Sequence, residues 1–211
     1  MAQMQDETQT TRSNVFSRTV CVFAGSSCGS HPDYSEAARA LGRALVQRNC
    51  RLVYGGGRTG LMGELADTVL AMGGTVVGVI PERLATSELA HRGVTQLEIV
   101  ATMHERKQTM ADLAQAFIAL PGGIGTFEEV LEALTWTQLR IHRKPVALYN
   151  ARNYYGGLLS FLDHATAEQF MRPSCRALLL VEDDPERLLL NLERWIAPLG
   201  DGFEQKIDAS T

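Results

Sequence analysis

Short apolar runs along the chain alternate with longer stretches in which apolar residues return every third or fourth position. The runs at 19–24, 51–54, 75–80, 97–101, 117–120, 145–149 and 178–181 have the length and side-chain type of buried strands. Between them, Tyr34, Ala37, Ala38, Leu41, Leu45 and Val46 share one face of a helix predicted over 33–49. Further helices are expected from the glycine-rich stretch at 55–63 to about Met72, over 102–115, from Val130 through Leu139, over 154–169 and over 185–196. Gly73-Gly74 closes the second of these, and Pro185 opens the last as an initial helical residue. Pro81 stops the third strand, and 87–93 is an irregular connection.

Strand and helix thus alternate for nearly the whole length, and the strands are solid apolar runs. That pattern predicts an α/β fold: one Rossmann-like, doubly wound parallel sheet of about seven strands with helices on both faces. A single domain over 18–198 follows, between polar tails at 1–17 and 199–211; the first tail lacks periodicity and is expected to be disordered. In such sheets the ligand lies beyond the carboxyl ends of the strands, where every glycine-rich loop of this chain falls.

Composition narrows the function. The net charge of −4 has both signs spread along 211 residues, leaving no footprint for nucleic acid or an anionic membrane. Cys21, Cys28, Cys50 and Cys175 are scattered without a C-x-x-C pair, the pattern of reduced thiols in a cytoplasmic protein. The histidines form no metal-binding spacing, so no metal site is expected. Lys107, Lys144 and Lys206 are the only lysines, which leaves few candidates for lysine-based covalent chemistry.

The chemistry concentrates in Pro121-Gly122-Gly123-Ile124-Gly125-Thr126-Phe127-Glu128-Glu129. Strand, glycine turn and helix in succession aim backbone N–H groups at one point, and the helix dipole adds positive potential there, so an anion is the natural occupant. Thr126 and Glu129 also have the spacing of a capping box, in which the glutamate reaches back to the N-cap amide. The other reading of Glu129 is a carboxylate beside the anion site, facing whatever the anion is attached to. Thr102 and Glu105 form a second capping-box candidate, with Met103, Arg106 and Met110 on one face of the helix that follows. Arg106 there is either a ligand for a phosphate or one member of a solvated surface pair.

A third loop, Gly55-x-Gly57-x-x-Gly60, formally matches the dinucleotide fingerprint, with Glu82 after the next strand. Close packing of helix on strand explains the same glycines. A P-loop is excluded, because Leu61-Met62 stand where Lys-Ser/Thr would be needed.

Together, Met103-His104-Glu105-Arg106-Lys107 and the Pro121-to-Glu129 stretch resemble the Lonely guy family, and the Gly55-to-Gly63 loop and Trp136-Thr137-Gln138-Leu139 fit it too. The likeness runs from about Thr19 to Trp195. It implies hydrolysis of the N-glycosidic bond of a purine nucleoside 5′-monophosphate, AMP or an N6-substituted AMP such as a cytokinin riboside monophosphate, to free base and ribose 5-phosphate. It assigns catalysis to Arg106 and Glu129. Substrate binding falls to Glu88, Arg106, Lys107, Gly122, Gly123, Ile124, Gly125, Thr126, Phe127, Glu128 and Thr135. It further implies a homodimer with the site near the subunit boundary, and no cofactor. Many relatives carry an old lysine decarboxylase label, which no lysine of this chain is placed to support. Arg140 departs from the family's frequent glycine after Trp-x-x-Leu, where a changed rim contact or pocket mouth is expected. Met103, Phe127 and Trp136 either line a pocket for an N6 substituent or belong to the core. The competing functions are a nucleotide-binding module without catalysis and an NAD(P)-dependent oxidoreductase.

Overall fold

A computed structural model of the chain describes residues 18–86 and 89–196. Seven strands, β1 (Thr19–Phe23), β2 (Arg51–Tyr54), β3 (Val76–Pro81), β4 (Gln96–Val100), β5 (Ala116–Ala119), β6 (Val146–Tyr149) and β7 (Leu179–Glu182), form one sheet in the order β4-β3-β2-β1-β5-β6-β7. Every pairing is parallel. The helices are α1 (Pro32–Gln47), α2 (Gly60–Ala71), α3 (Met103–Leu113), α4 (Ile124–Gln138), α5 (Gly156–Ala167), α6 (Pro173–Arg176) and α7 (Pro185–Ile196). Alternation along the strands divides the interior in two. Val20, Val22, Leu52 and Ile118 pack with α1, α2 and α7, whereas Cys21, Phe23, Val53 and Phe117 pack with α3 and α4. The expected doubly wound sheet is therefore present, with its order reversing between β1 and β5. The tails at 1–17 and 199–211 lie outside the described residues.

The differences from expectation are local. β4 pairs over 96–100, and its Gln96 and Ile99 are exposed, so this edge strand is not covered on both sides. Pro81 closes β3 from within, opposite Val100. β7 lies one residue later than its apolar run. The helix expected from Tyr154 begins at Gly156, because a 3₁₀ turn over Ala151–Asn153 comes first. The short α6, with Pro173 at its start, has no hydrophobic periodicity by which to find it.

Candidate active site

The carboxyl ends of β1, β2 and β5 bring three glycine-rich loops together. Gly25 N–H donates to the Pro121 carbonyl (3.0 Å), and Met62 N–H donates to the Gly25 carbonyl (3.3 Å), tying the first loop to the other two. Gly122 lies where a side chain cannot fit: a Cβ would stand 2.1 Å from Thr126 Oγ1 and 2.9 Å from Gly25 N. The turn therefore closes directly on the first turn of α4, whose N-cap is Gly123, extended and without a side-chain cap. The amides of Ile124, Gly125 and Thr126 are the first three of that helix and find no acceptor among the described residues.

This geometry overturns the capping-box reading of Thr126 and Glu129. Because α4 starts at Ile124, Thr126 is its third residue, folded against Gly122, and Glu129 is too deep in the helix to reach an N-cap amide. Glu129 turns instead to α3, where Arg106 Nη2 lies 3.1 Å from its Oε1. The second capping box is present. Thr102 Oγ1 accepts from Glu105 N–H at 3.1 Å, and Glu105 returns to the Thr102 amide at 3.3 Å, fixing the start of α3 and hence the fourth helical position, Arg106.

Arg106 and Glu129 are not a solvated pair. Their side chains are 14% and 9% exposed. Burial pushes the Glu129 carboxyl up to about 6 from its ordinary 4.5, Arg106 pulling it down and Glu128 adding to the rise. The guanidinium also has Met103 Sδ 3.2 Å from Nη1, while its Nε is buried without a partner among the described residues. It rests on the β2 loop: a Cβ on Gly55 would come 2.1 Å from Arg106 Nη2. The Gly55-to-Gly63 glycines thus serve close approach. Gly55 seats the arginine, and Gly60, at φ +62, lies against the backbone of Ser26 and Ser27.

A second pair of contacts runs beside the first. The Lys107 ammonium donates to Glu128 Oε1 and, at 3.0 Å, to Glu132 Oε1, so consecutive residues of α3 meet consecutive residues of α4. Glu132 escaped notice in the sequence; its i, i+4 spacing from Glu128 places two carboxylates on one helix face and would have pointed to a shared cation. Phe127 and Trp136 pack at the edge of the core on the α3–α4 side. Thr135 is exposed, its hydroxyl donating to the Leu131 carbonyl at 2.7 Å, and among the described residues no hydrogen bond joins it to the Arg106–Glu129 pair. Glu88 lies outside the described residues. Of the lysines, Lys144 is spent on the Ala111 carbonyl at 2.6 Å, and Lys206 also lies outside.

A family profile described as "Possible lysine decarboxylase" matches residues 62–192. The cytokinin riboside 5′-monophosphate phosphoribohydrolase of Rhodococcoides fascians is 50% identical over 80% of this chain and 86% of its own length. One of that name from Arabidopsis thaliana is 48% identical over 84% of this chain and 82% of its own. The chain belongs to the Lonely guy family. Among solved structures, the molybdenum cofactor carrier protein of Chlamydomonas reinhardtii superposes with a TM-score of 0.66 over 86% of this chain and 99% of that one, at 22% identity. The molybdenum cofactor binding protein of Rippkaea orientalis gives 0.65 at 20% identity, covering 85% and 98%. At those identities the likeness establishes the fold alone.

Proposed function

We propose that this Lonely guy family member is a phosphoribohydrolase that cleaves the N-glycosidic bond of AMP or an N6-substituted AMP, releasing the base and ribose 5-phosphate. The observation that carries the reading is a buried Glu129 paired with Arg106 beside the uncapped amides at the start of α4. Those amides and the glycine turn suit a 5′-phosphate, which the helix dipole favours and which Glu129 must not face. Breaking the C1′–N bond builds positive charge on the ribose, so a carboxylate nearby lowers the barrier. Burial gives Glu129 a further use. A carboxyl at about 6 is ionised at neutral pH yet basic enough to take a proton from the attacking water. Arg106 keeps that buried charge paired, and its guanidinium beside Glu129 is placed to orient the ribose or its phosphate.

The test is direct. AMP and isopentenyl-AMP incubated with the protein should each be followed for free base and ribose 5-phosphate, and their relative rates set the preference at N6. Glu129→Gln should lose about a hundredfold or more in kcat, the usual worth of acid–base help. A full rate in that variant would remove Glu129 from the chemistry, and AMP bound without product would point to a binding module instead.

The same reading includes a homodimer. α5 is apolar, yet none of its residues is buried within one chain. Phe161 on it, Phe170 just beyond it, Ile124 at the start of α4 and Leu139 at its end are all exposed, Phe170 by 91% and Ile124 by 81%. Apolar surface of this kind calls for a cover, and Ile124 would put the covering subunit at the rim of the site. Four free cysteines agree with a cytoplasmic setting, and among the described residues no helix is long and apolar enough to cross a membrane.

A further inference from the structure

The turn between β5 and α4 is held from behind by donors that the reaction does not use. Three successive carbonyls are engaged. Tyr155 Oη donates to Leu120 O at 2.6 Å, Gly25 N–H to Pro121 O at 3.0 Å, and Tyr154 Oη to Gly122 O. In a trans peptide the C=O and N–H point in opposite directions. Holding the Pro121 and Gly122 carbonyls on one side therefore turns the Gly122 and Gly123 amides toward the other. Two adjacent glycines make this the most easily rotated peptide of the site, and a rotated one would offer a carbonyl oxygen to an incoming anion.

The two tyrosines are placed with some effort. After β6, the neighbour of β5 in the sheet, Arg152 and Asn153 both take left-handed backbone, at φ 55° and 56°, which is costly for Arg152 and better tolerated by Asn153. Asn150 steadies the bend, its Oδ1 accepting from Tyr155 N–H at 2.8 Å and its Nδ2 donating to Asn153 Oδ1 at 3.2 Å. Arg152 ties it to α1 through Asp33 at 2.8 Å. The Tyr154 ring stacks on Phe127 (centroids 6.4 Å apart) and meets Tyr155 and Tyr34 edge-on at 5.0 and 5.9 Å. Tyr155 is fully buried, and burial holds its phenol far above the ordinary value, so it remains a donor at every working pH.

We propose that Tyr154 and Tyr155 are positioning residues for the phosphate site: the Tyr154 hydroxyl turns the Gly123 amide toward the anion, and the Tyr155 hydroxyl anchors the Leu120 carbonyl at the start of the turn. The inference rests on the phosphoribohydrolase reading only for the identity of that anion. It also gives Phe127 a place, as the ring that holds Tyr154.

Tyr154→Phe keeps the stacked ring, which is partly exposed, and removes only the hydroxyl. Affinity for ribose 5-phosphate, measured by calorimetry, should weaken about fivefold to tenfold, the worth of one hydrogen bond. The KM for AMP should rise by the same factor while kcat stays within about threefold. Inhibition by free adenine, which has no phosphate, should be unchanged; a generally loosened site would weaken both products together. An unchanged affinity for ribose 5-phosphate, or a parallel loss for adenine, would overturn the clamp. Wild-type protein that binds ribose 5-phosphate but leaves AMP intact would overturn the proposed reaction while the comparison of affinities still decides the clamp.

Discussion

Glu129 shows how one residue type carried two readings that only distance separated. A glutamate three residues after a threonine, at the start of a helix, is as good a cap as it is a base; the extra turn residues 124 and 125 being helical removed the first option. Its burial has a measurable consequence. The folded carboxyl sits at about 6 against 4.5, so the folded state holds the proton more tightly than the unfolded chain. Stability from this group is complete below pH 4.5 and is lost as pH climbs through 6, a cost of about 2 kcal/mol above that. Glu129→Gln, which mimics the protonated form, should match wild type in denaturant unfolding at pH 4.5 and exceed it by about 2 kcal/mol at pH 7.5. A gap that stayed constant over this range would mean the carboxyl is not perturbed. Arg106 was equally ambiguous in the sequence, because nothing in Met-His-Glu-Arg-Lys says that Gly55, some fifty positions away, leaves room for its guanidinium.

At the scale of the element, α4 supplies the site at its first turns and departs from the family pattern at its last. Arg140 sits one residue beyond the C-cap with φ +61. Its N–H donates to Thr137 O at 3.1 Å and that of Ile141 to Trp136 O at 3.0 Å, the paired bonds of a Schellman motif, in which glycine is the usual occupant. The left-handed backbone accounts for a preference for glycine there, and the Arg140 side chain is exposed. Arg140→Gly should raise stability by roughly 0.5–1 kcal/mol, the left-handed cost less the added entropy of the unfolded glycine. Thermal unfolding with unchanged AMP kinetics is the expected record, and a lower melting temperature would show that Arg140 makes a stabilising contact. The parallel contacts Arg106–Glu129 and Lys107–Glu128 also belong to this scale, since they set α3 against α4 and not merely two side chains against each other.

For the molecule as a whole, the exposed apolar residues of α4 and α5 predict a dimer in light scattering. Phe161→Glu should shift it toward monomer, whereas a wild-type monomer at micromolar concentration would refute the assembly. The sheet itself was legible because burial on both faces demands unbroken apolar runs, and parallel strands demand helices between them; both leave a periodic trace in composition. The glycine turn was legible for a related reason, since at Gly122 close approach admits no other residue. The boundary shifts at β7 and α5 came from hydrogen-bonding geometry that no side-chain period records. From residue order alone, then, came the layering, the edge that bears the candidate site and the glycine loop proposed for an anion, because each depends on neighbours along the chain. The partner of Glu129, the seat of Arg106 and the tyrosines behind the turn were decided by folding, which joins positions tens of residues apart through contacts of a few ångströms.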